Sequence, residues 1–196
     1  MKSKLKVFSV TLAAMIAAAY VIMTFVSSVL GLSSGVIQVR FSESLNTLVC
    51  FTESAVPGLF LGCILSNLLT GGCVIDLVVG SIATLIGAAV GRKIATIKDG
   101  KYNILVPIPT ILSNAVLVPF VLQYGYGIDM PYRYLFTTVG LGEIVSAGLI
   151  GMFVYFTLLR IPQFRQLVKS EKQYSSITLN QNEELTKTDS EEEKED

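Results

Sequence analysis

The sequence predicts an all-α integral membrane protein of six transmembrane helices, with both termini in the cytoplasm. Its 196 residues are 52% hydrophobic and only 15% charged, with a mean hydropathy of +0.61, a composition that belongs in hydrocarbon rather than water. The apolar residues gather into six runs separated by short breaks rich in Gly, Pro or charge. Basic residues between the runs fall on alternate sides: Lys2, Lys4 and Lys6, then Arg92, Lys93, Lys98 and Lys101, then Arg160, Arg165 and Lys169 share one side, and Arg133 lies in a loop on the other. By the positive-inside rule the richer side is cytoplasmic.

The first run, Val7 to Leu30, follows the N-terminal lysines at once. It exceeds the about 7 to 15 apolar residues of a signal peptide and is followed by no good cleavage site, so it reads as a retained spanning helix. Within it Ser9, Ala13 and Ala17 recur every fourth residue, and Ala14 and Ala18 repeat the spacing one position along. Such spacing lines small side chains on one face, where another helix approaches closely. That neighbour is either a helix of this chain or a partner membrane protein.

Gly31, Ser33, Ser34 and Gly35 form a short loop, and Val36 to Cys50 is a second helical segment, polar at its start. Gln38, Arg40 and Glu43 stand there, flanked by apolar runs, where a charge is costly unless paired, hydrated or ligand-bound. Glu53, Pro57 and Gly58 mark the next boundary, and Ala55 to Leu69 is the third run. Thr70, Gly71 and Gly72 turn the chain into the fourth, Val74 to Val90, whose first turn holds Asp76. After a basic loop from Arg92 to Lys101, the fifth run spans Ile104 to Leu122 and contains Pro107, Pro109, Asn114 and Pro119, which predict a kinked or broken helix. Gln123 to Arg133 is an interfacial loop whose tyrosines suit the headgroup level. The sixth run, Tyr134 to Leu159, carries Gly140, Gly142, Gly148, Gly151 and one acid, Glu143.

Residues 1–165 thus form one membrane domain, and 166–196 a cytoplasmic tail. From Lys169 onward there are 4 basic and 9 acidic residues against 11 and 6 before it, so a mildly basic body precedes an acidic end expected to be disordered.

The predicted topology collects polar residues at one depth. Gln38, Arg40 and Glu43 fall at the outer start of the second helix, Asn67 at the outer end of the third and Asp76 at the outer start of the fourth. Asn114 sits near the middle of the fifth, and Glu143 about 14 Å into the sixth at a rise of 1.5 Å per residue. A polar cup opening outward accounts for them together. Each also has a plainer reading: Arg40 and Glu43, three apart, pair on a helix; Asp76 complements a helix N-terminus; Asn67 and Asn114 are interhelical hydrogen-bond glue. Glu143, with glycines around it and no base nearby in its own helix, is the strongest candidate for a site, whereas Glu53 at the inner boundary reads as a solvated charge.

Enzyme signatures are missing. The chain has no histidine, P-loop, HExxH or GxSxG, and Cys50, Cys63 and Cys73 lack metal-ligand spacing, so no cofactor or metal is expected and the cysteines read as small packing residues. A hydrolase built from Glu43 and Glu143 is the weak enzymatic alternative, since acids in membranes more often line ligand or ion paths.

Four stretches in order, Ile37 to Leu45 (IQVRFSESL), Gly58 to Cys63 (GLFLGC) followed by Ser66-Asn67, Asp76 to Ser81 (DLVVGS) with Ala83 to Leu85, and Val139 to Glu143 (VGLGE), resemble the QueT family. The resemblance covers about Lys6 to Arg160 and leaves out the acidic tail. It implies a substrate-binding S component of an energy-coupling factor (ECF) transporter, with an S-component-like bundle, for uptake of queuosine precursors from outside the plasma membrane. Its implied partners are a transmembrane coupling protein and two cytoplasmic ATPases, with membrane lipid around it and no nucleic acid. Faces of the AxxxA type on the first helix dock the coupling protein in such systems, which favours docking for Ser9, Ala13, Ala14, Ala17 and Ala18. A 7-deazaguanine offers a ring N–H beside an exocyclic amine, a pair that one carboxylate accepts. Glu143 is the candidate for that role, with Arg40 or Gln38 donating to the ring carbonyl and Asp76 or Glu43 meeting an aminomethyl cation. The competing functions are an S component for another vitamin or nucleobase, a self-sufficient proton-coupled carrier relaying through Glu143 and Asp76, and a ligand-free scaffold.

Overall fold

The computed structural model describes residues 2–33, 36, 38–97, 104–164, 166 and 168–170. The acidic tail beyond them and the sequence expectations for Ser34, Gly35, Ile37, Lys98, Lys101 and Arg165 lie outside the described residues. All regular structure among the described residues is helical: α1 (Lys2–Val29), a 3-10 helix (Phe41–Cys50), α2 (Ala55–Leu69), α3 (Asp76–Ile97), α4 (Ile108–Tyr124) and α5 (Tyr132–Arg160). Three stretches, Val7–Val29, Asp76–Ile97 and Tyr132–Arg160, are long and apolar enough to cross a membrane, and Ala55–Leu69 and Ile108–Tyr124 are shorter apolar helices. This is a membrane protein by its construction as well as its composition. Val10, Met15, Ile22, Phe25, Leu68, Leu112 and Phe153 stand exposed around the outside, while Ser42, Glu43, Asn46 and Thr47 are buried within. That distribution suits lipid contact and inverts the one expected in water.

α1 has neither Gly nor Pro and is rich in alanine, the best helix former. Its hydroxyls return to the backbone one turn earlier, Thr24 to Tyr20 at 2.9 Å and Ser27 to Met23 at 3.0 Å, so they need no outside partner. The helix ends where Gly31 takes φ +71° and Leu32 N–H reaches back to Ser27 O at 2.9 Å, the αL glycine stop that satisfies orphan carbonyls. Gly71, at φ +75°, ends α2 in the same way, with Gly72 N–H bonding Asn67 O at 2.8 Å.

α1 and α2 meet through small residues. A Cβ on Gly58 would lie 2.8 Å from Ala13 O, and one on Gly62 would lie 2.7 Å from the Tyr20 Cβ. Glycine four apart thus lets the backbones approach. This corrects part of the docking expectation: Ala13 and Ala17 are buried against α2, whereas Ser9, Ala14 and Ala18 remain exposed. Adjacent residues on a helix are about 100° apart, so Ala13 and Ala17 turn inward and Ala14 and Ala18 outward, while Ser9, in the register of the first pair, is exposed.

The second segment also differs from the α-helix expected over Val36 to Cys50. Arg40 is extended, at φ −97° and ψ 109°, and helix begins only at Phe41, as a 3-10 helix of 10 residues. Such length is unusual for this geometry. Its residues from Ser42 to Cys50 are all buried, enclosed by α1, α2, α3 and α5. With three residues per turn, Glu43 and Asn46 eclipse each other, and the Asn46 amide donates to Glu43 Oε2 at 2.8 Å. Arg92 of α3 anchors the far end, donating to Val49 O at 2.9 Å and meeting the exposed Glu53 at 3.2 Å.

α4 begins four residues later than expected and is unbroken through Pro119. Pro107 and Pro109 stand at its N-terminus, where a missing N–H costs nothing. In α3 and α5 the hydrogen bonding loosens to π-helical form over Asp76–Gly80 and Ile144–Ile150, the first beginning at Asp76 and the second following Glu143 directly. The apolar core gathers around the C-terminal end of the 3-10 helix, where Phe51 stacks on Tyr155 at 4.9 Å and meets Phe164 edge-on at 5.1 Å. A smaller cluster, Val118, Leu122, Leu135 and Val139, joins α4 to α5.

Candidate functional site

A cavity of about 190 Å³ opens between the ends of α1 and α2, the start of α3 and the α4–α5 loop. Its volume equals about six waters at about 30 Å³ each. Gln38, Arg40, Asn67 and Asp76 line it, together with Thr24, Ser28, Ser33, Thr70 and Tyr126. Asp76 is the hub. Its Oδ2 lies 3.6 Å from the Arg40 guanidinium and accepts the Tyr126 hydroxyl at 2.9 Å. The Asn67 amide donates to its backbone carbonyl at 3.3 Å. Gly80, one helical turn on, leaves the room this carboxylate needs, since a Cβ there would meet Oδ1 at 2.6 Å.

A second polar cluster lies near Arg40. Tyr20 donates its hydroxyl to Glu43 Oε1, and Asn46 donates to Oε2. The Asn114 side chain stands against both Glu43 and Glu143, and Arg40 is near enough to both acids to act on them electrostatically. Glu143 is buried, and its Oε2 has no hydrogen-bond partner among the described residues, as is true of Asn46 Oδ1 and Ser146 Oγ. Buried acceptors and hydroxyls without partners are rare in folded proteins and mark places where something polar is received.

The seven predicted binding residues therefore divide. Gln38, Arg40, Asn67 and Asp76 line the cavity, and Glu43, Asn114 and Glu143 form the second cluster, with Arg40 acting on both. The expected Arg40–Glu43 pair on one helix is not formed, because Arg40 is extended and turns to Asp76, while Glu43 is taken by Tyr20 and Asn46. Sequence reasoning missed Tyr20, Thr24, Ser28, Asn46 and Tyr126. One signal was available: Tyr20, Thr24 and Ser28 recur every fourth residue and so share a face of α1. No group of three or more His, Cys, Asp or Glu side chains able to hold a metal occurs among the described residues, and Cys50, Cys63 and Cys73 are free thiols.

These groups offer carboxylate acceptors and guanidinium and amide donors, a set able to hydrogen-bond a polar molecule. A family model described as "QueT transporter" matches residues 10–160. A curated protein named "Queuosine precursor transporter QueT", from Lactococcus lactis subsp. cremoris (strain MG1363), is 29% identical over 157 residues, covering 77% of this chain and 92% of the relative. No solved structure matches the chain.

Proposed function

This chain belongs to the QueT family, a family of transporters and not of enzymes, and from that membership we propose that it is the substrate-capture S subunit of an ATP-driven ECF importer for a queuosine precursor. The ligand is a 7-deazaguanine such as preQ0, preQ1 or queuine. The relative's name supports the ligand class. The observation that carries the reading is the cavity lined by Arg40 and Asp76, with Glu43, Asn114 and Glu143 clustered near the same Arg40. Glu143 accepts the ring N–H and exocyclic amine together through its open Oε2 and its other oxygen, and Arg40 or Gln38 donates to the ring carbonyl.

In this reading residues 1–165 cross the plasma membrane six times with both ends in the cytoplasm, so the cavity opens outward, and 166–196 is a cytoplasmic tail. A transmembrane coupling protein docks on the face of α1 that carries the exposed Ala14 and Ala18, and two cytoplasmic ATPases supply the energy. Binding of tritiated precursor to the purified protein tests the site. Glu143→Gln is expected to weaken it by at least about tenfold, since a carboxylate accepting from a buried donor pair contributes about 1.5 kcal/mol or more. Unchanged affinity would remove Glu143 from the site. Uptake by this chain alone in liposomes, driven by a proton gradient without ATP, would instead favour a self-sufficient carrier.

A further inference from the structure

Acidic side chains outnumber basic ones in the site. Glu43, Asp76 and Glu143 are exposed by only 1%, 2% and 6%, and Arg40 is the basic side chain placed among them. Glu43 is held by donors on both oxygens, from Tyr20 and Asn46. Asp76 is held less completely. Its Oδ2 receives the Tyr126 hydroxyl, but Arg40 stands off at 3.6 Å, too far for a hydrogen bond. Its Oδ1 has no hydrogen-bond partner among the described residues. Asp76 also lines the cavity, so it stands where a ligand arrives. A buried carboxylate with one oxygen unpartnered and its ion pair held at 3.6 Å is costly until a closer donor meets it.

Resting on the transport reading above, we propose that Asp76 receives an ammonium group of the ligand, so that the protein selects 7-deazaguanines bearing an amine on the 7-substituent over the neutral 7-cyano compound. In 7-aminomethyl-7-deazaguanine the ring carbonyl and the aminomethyl arm project from the same side of the bicycle. One edge therefore presents an acceptor beside a cation. Arg40 and Asp76 present a donor beside a carboxylate at 3.6 Å, the complementary order. The ligand brings its ring carbonyl to the guanidinium and its ammonium to the carboxylate, in a site where buried acids outnumber bases.

The test uses the purified full chain in lipid nanodiscs and three probes: the 7-aminomethyl, 7-hydroxymethyl and 7-cyano forms of 7-deazaguanine. The hydroxymethyl compound has nearly the size of the aminomethyl one without its charge. The wild-type protein is expected to bind the aminomethyl form about 100-fold more tightly than the hydroxymethyl form, the scale of losing one partner of a buried charge pair. In Asp76→Asn that ratio is expected to fall to about threefold or less. Wild-type affinities equal for all three, or tightest for the cyano form, overturn the inference and leave the transport reading standing. So does a ratio that survives in Asp76→Asn. If that variant fails to fold, the wild-type series decides alone. Binding of none of the three overturns the transport reading and this inference with it.

Discussion

The backbone of Gly142 faces the carbonyl of Gln38 so closely that a Cβ on the glycine would stand 1.8 Å from that oxygen. α5 and the extended connector ahead of the 3-10 helix thus touch backbone to backbone, one residue from Glu143 and two from Arg40. Gly142→Ala is expected to push the connector away, costing about 1 to 3 kcal/mol as an overpacked contact does and abolishing precursor binding. Thermal unfolding and radioligand binding read the two effects. Wild-type values of both would mean that the connector yields without disturbing Arg40.

The two small-residue stripes of α1 are expected to behave in opposite ways. Gly62→Ala drives a methyl against Tyr20 and Ala17 and should lower stability by about 1 to 3 kcal/mol. Ala14→Leu and Ala18→Leu are exposed and should leave the unfolding midpoint unchanged while removing the coupling protein and ATPases from the purified complex. Co-purification with full uptake in the double variant would take docking away from this face.

Tyr20→Phe deletes the donor to Glu43 Oε1. An acceptor left short of its donor in a buried site costs about 1 to 3 kcal/mol. Glu43→Gln in the same chain should recover part of that loss, because it removes the charge that needed the phenol. Additive single and double losses in thermal denaturation would show that the two side chains do not act together.

Tyr126, in the α4–α5 loop, is pushed up to about 12 by burial first and by the neighbouring Asp76 carboxylate second. The neutral phenol is therefore the form the folded protein favours. Its contribution is fully present below the unfolded value of about 10 and is lost as pH rises through about 12. Ultraviolet difference titration should show a phenol that ionises late in the wild type and moves toward about 10 in Asp76→Asn, with Tyr126→Phe identifying the signal. No change in Asp76→Asn would mean that burial alone sets the shift.

Cysteines placed at Asp129 and Lys169, both exposed, test the orientation in a Cys73→Ser background. A membrane-impermeant maleimide added to intact cells is expected to label the first and to reach the second only after lysis. The opposite pattern would invert the topology.

Much of the fold could be read along the chain. Apolar runs and their breaks located the helical stretches, because hydrocarbon admits a backbone only when its hydrogen bonds close within the segment. The polar residues among those runs were equally visible, since few such residues occur there without a reason. Less visible was the form of the second segment. A run from Val36 to Cys50 has helical composition, but the connector lies across Gly142, Phe41 N–H is captured by Ser27 Oγ at 2.9 Å, and a tighter winding stacks Glu43 over Asn46. Each of those contacts comes from another element or from the altered pitch. The same holds for Tyr126, which resembles any interfacial tyrosine until the loop folds it back onto Asp76, 50 residues earlier.

By itself, the sequence determined that this is a helical membrane protein of the QueT family, with its charges confined to a few places in the apolar body. Local rules suffice for that, because hydropathy, loop charge and motif order are properties of neighbours in the chain. Only the tertiary structure decided that Arg40 turns from Glu43 to Asp76, that Ala13 and Ala17 face inward while Ala14 and Ala18 face outward, and that Glu43 and Glu143 share Asn114. Those outcomes depend on how helices cross and on which backbones can touch. In this chain the touching is set by Gly58, Gly62 and Gly142, residues whose missing side chains matter only when another element lies against them.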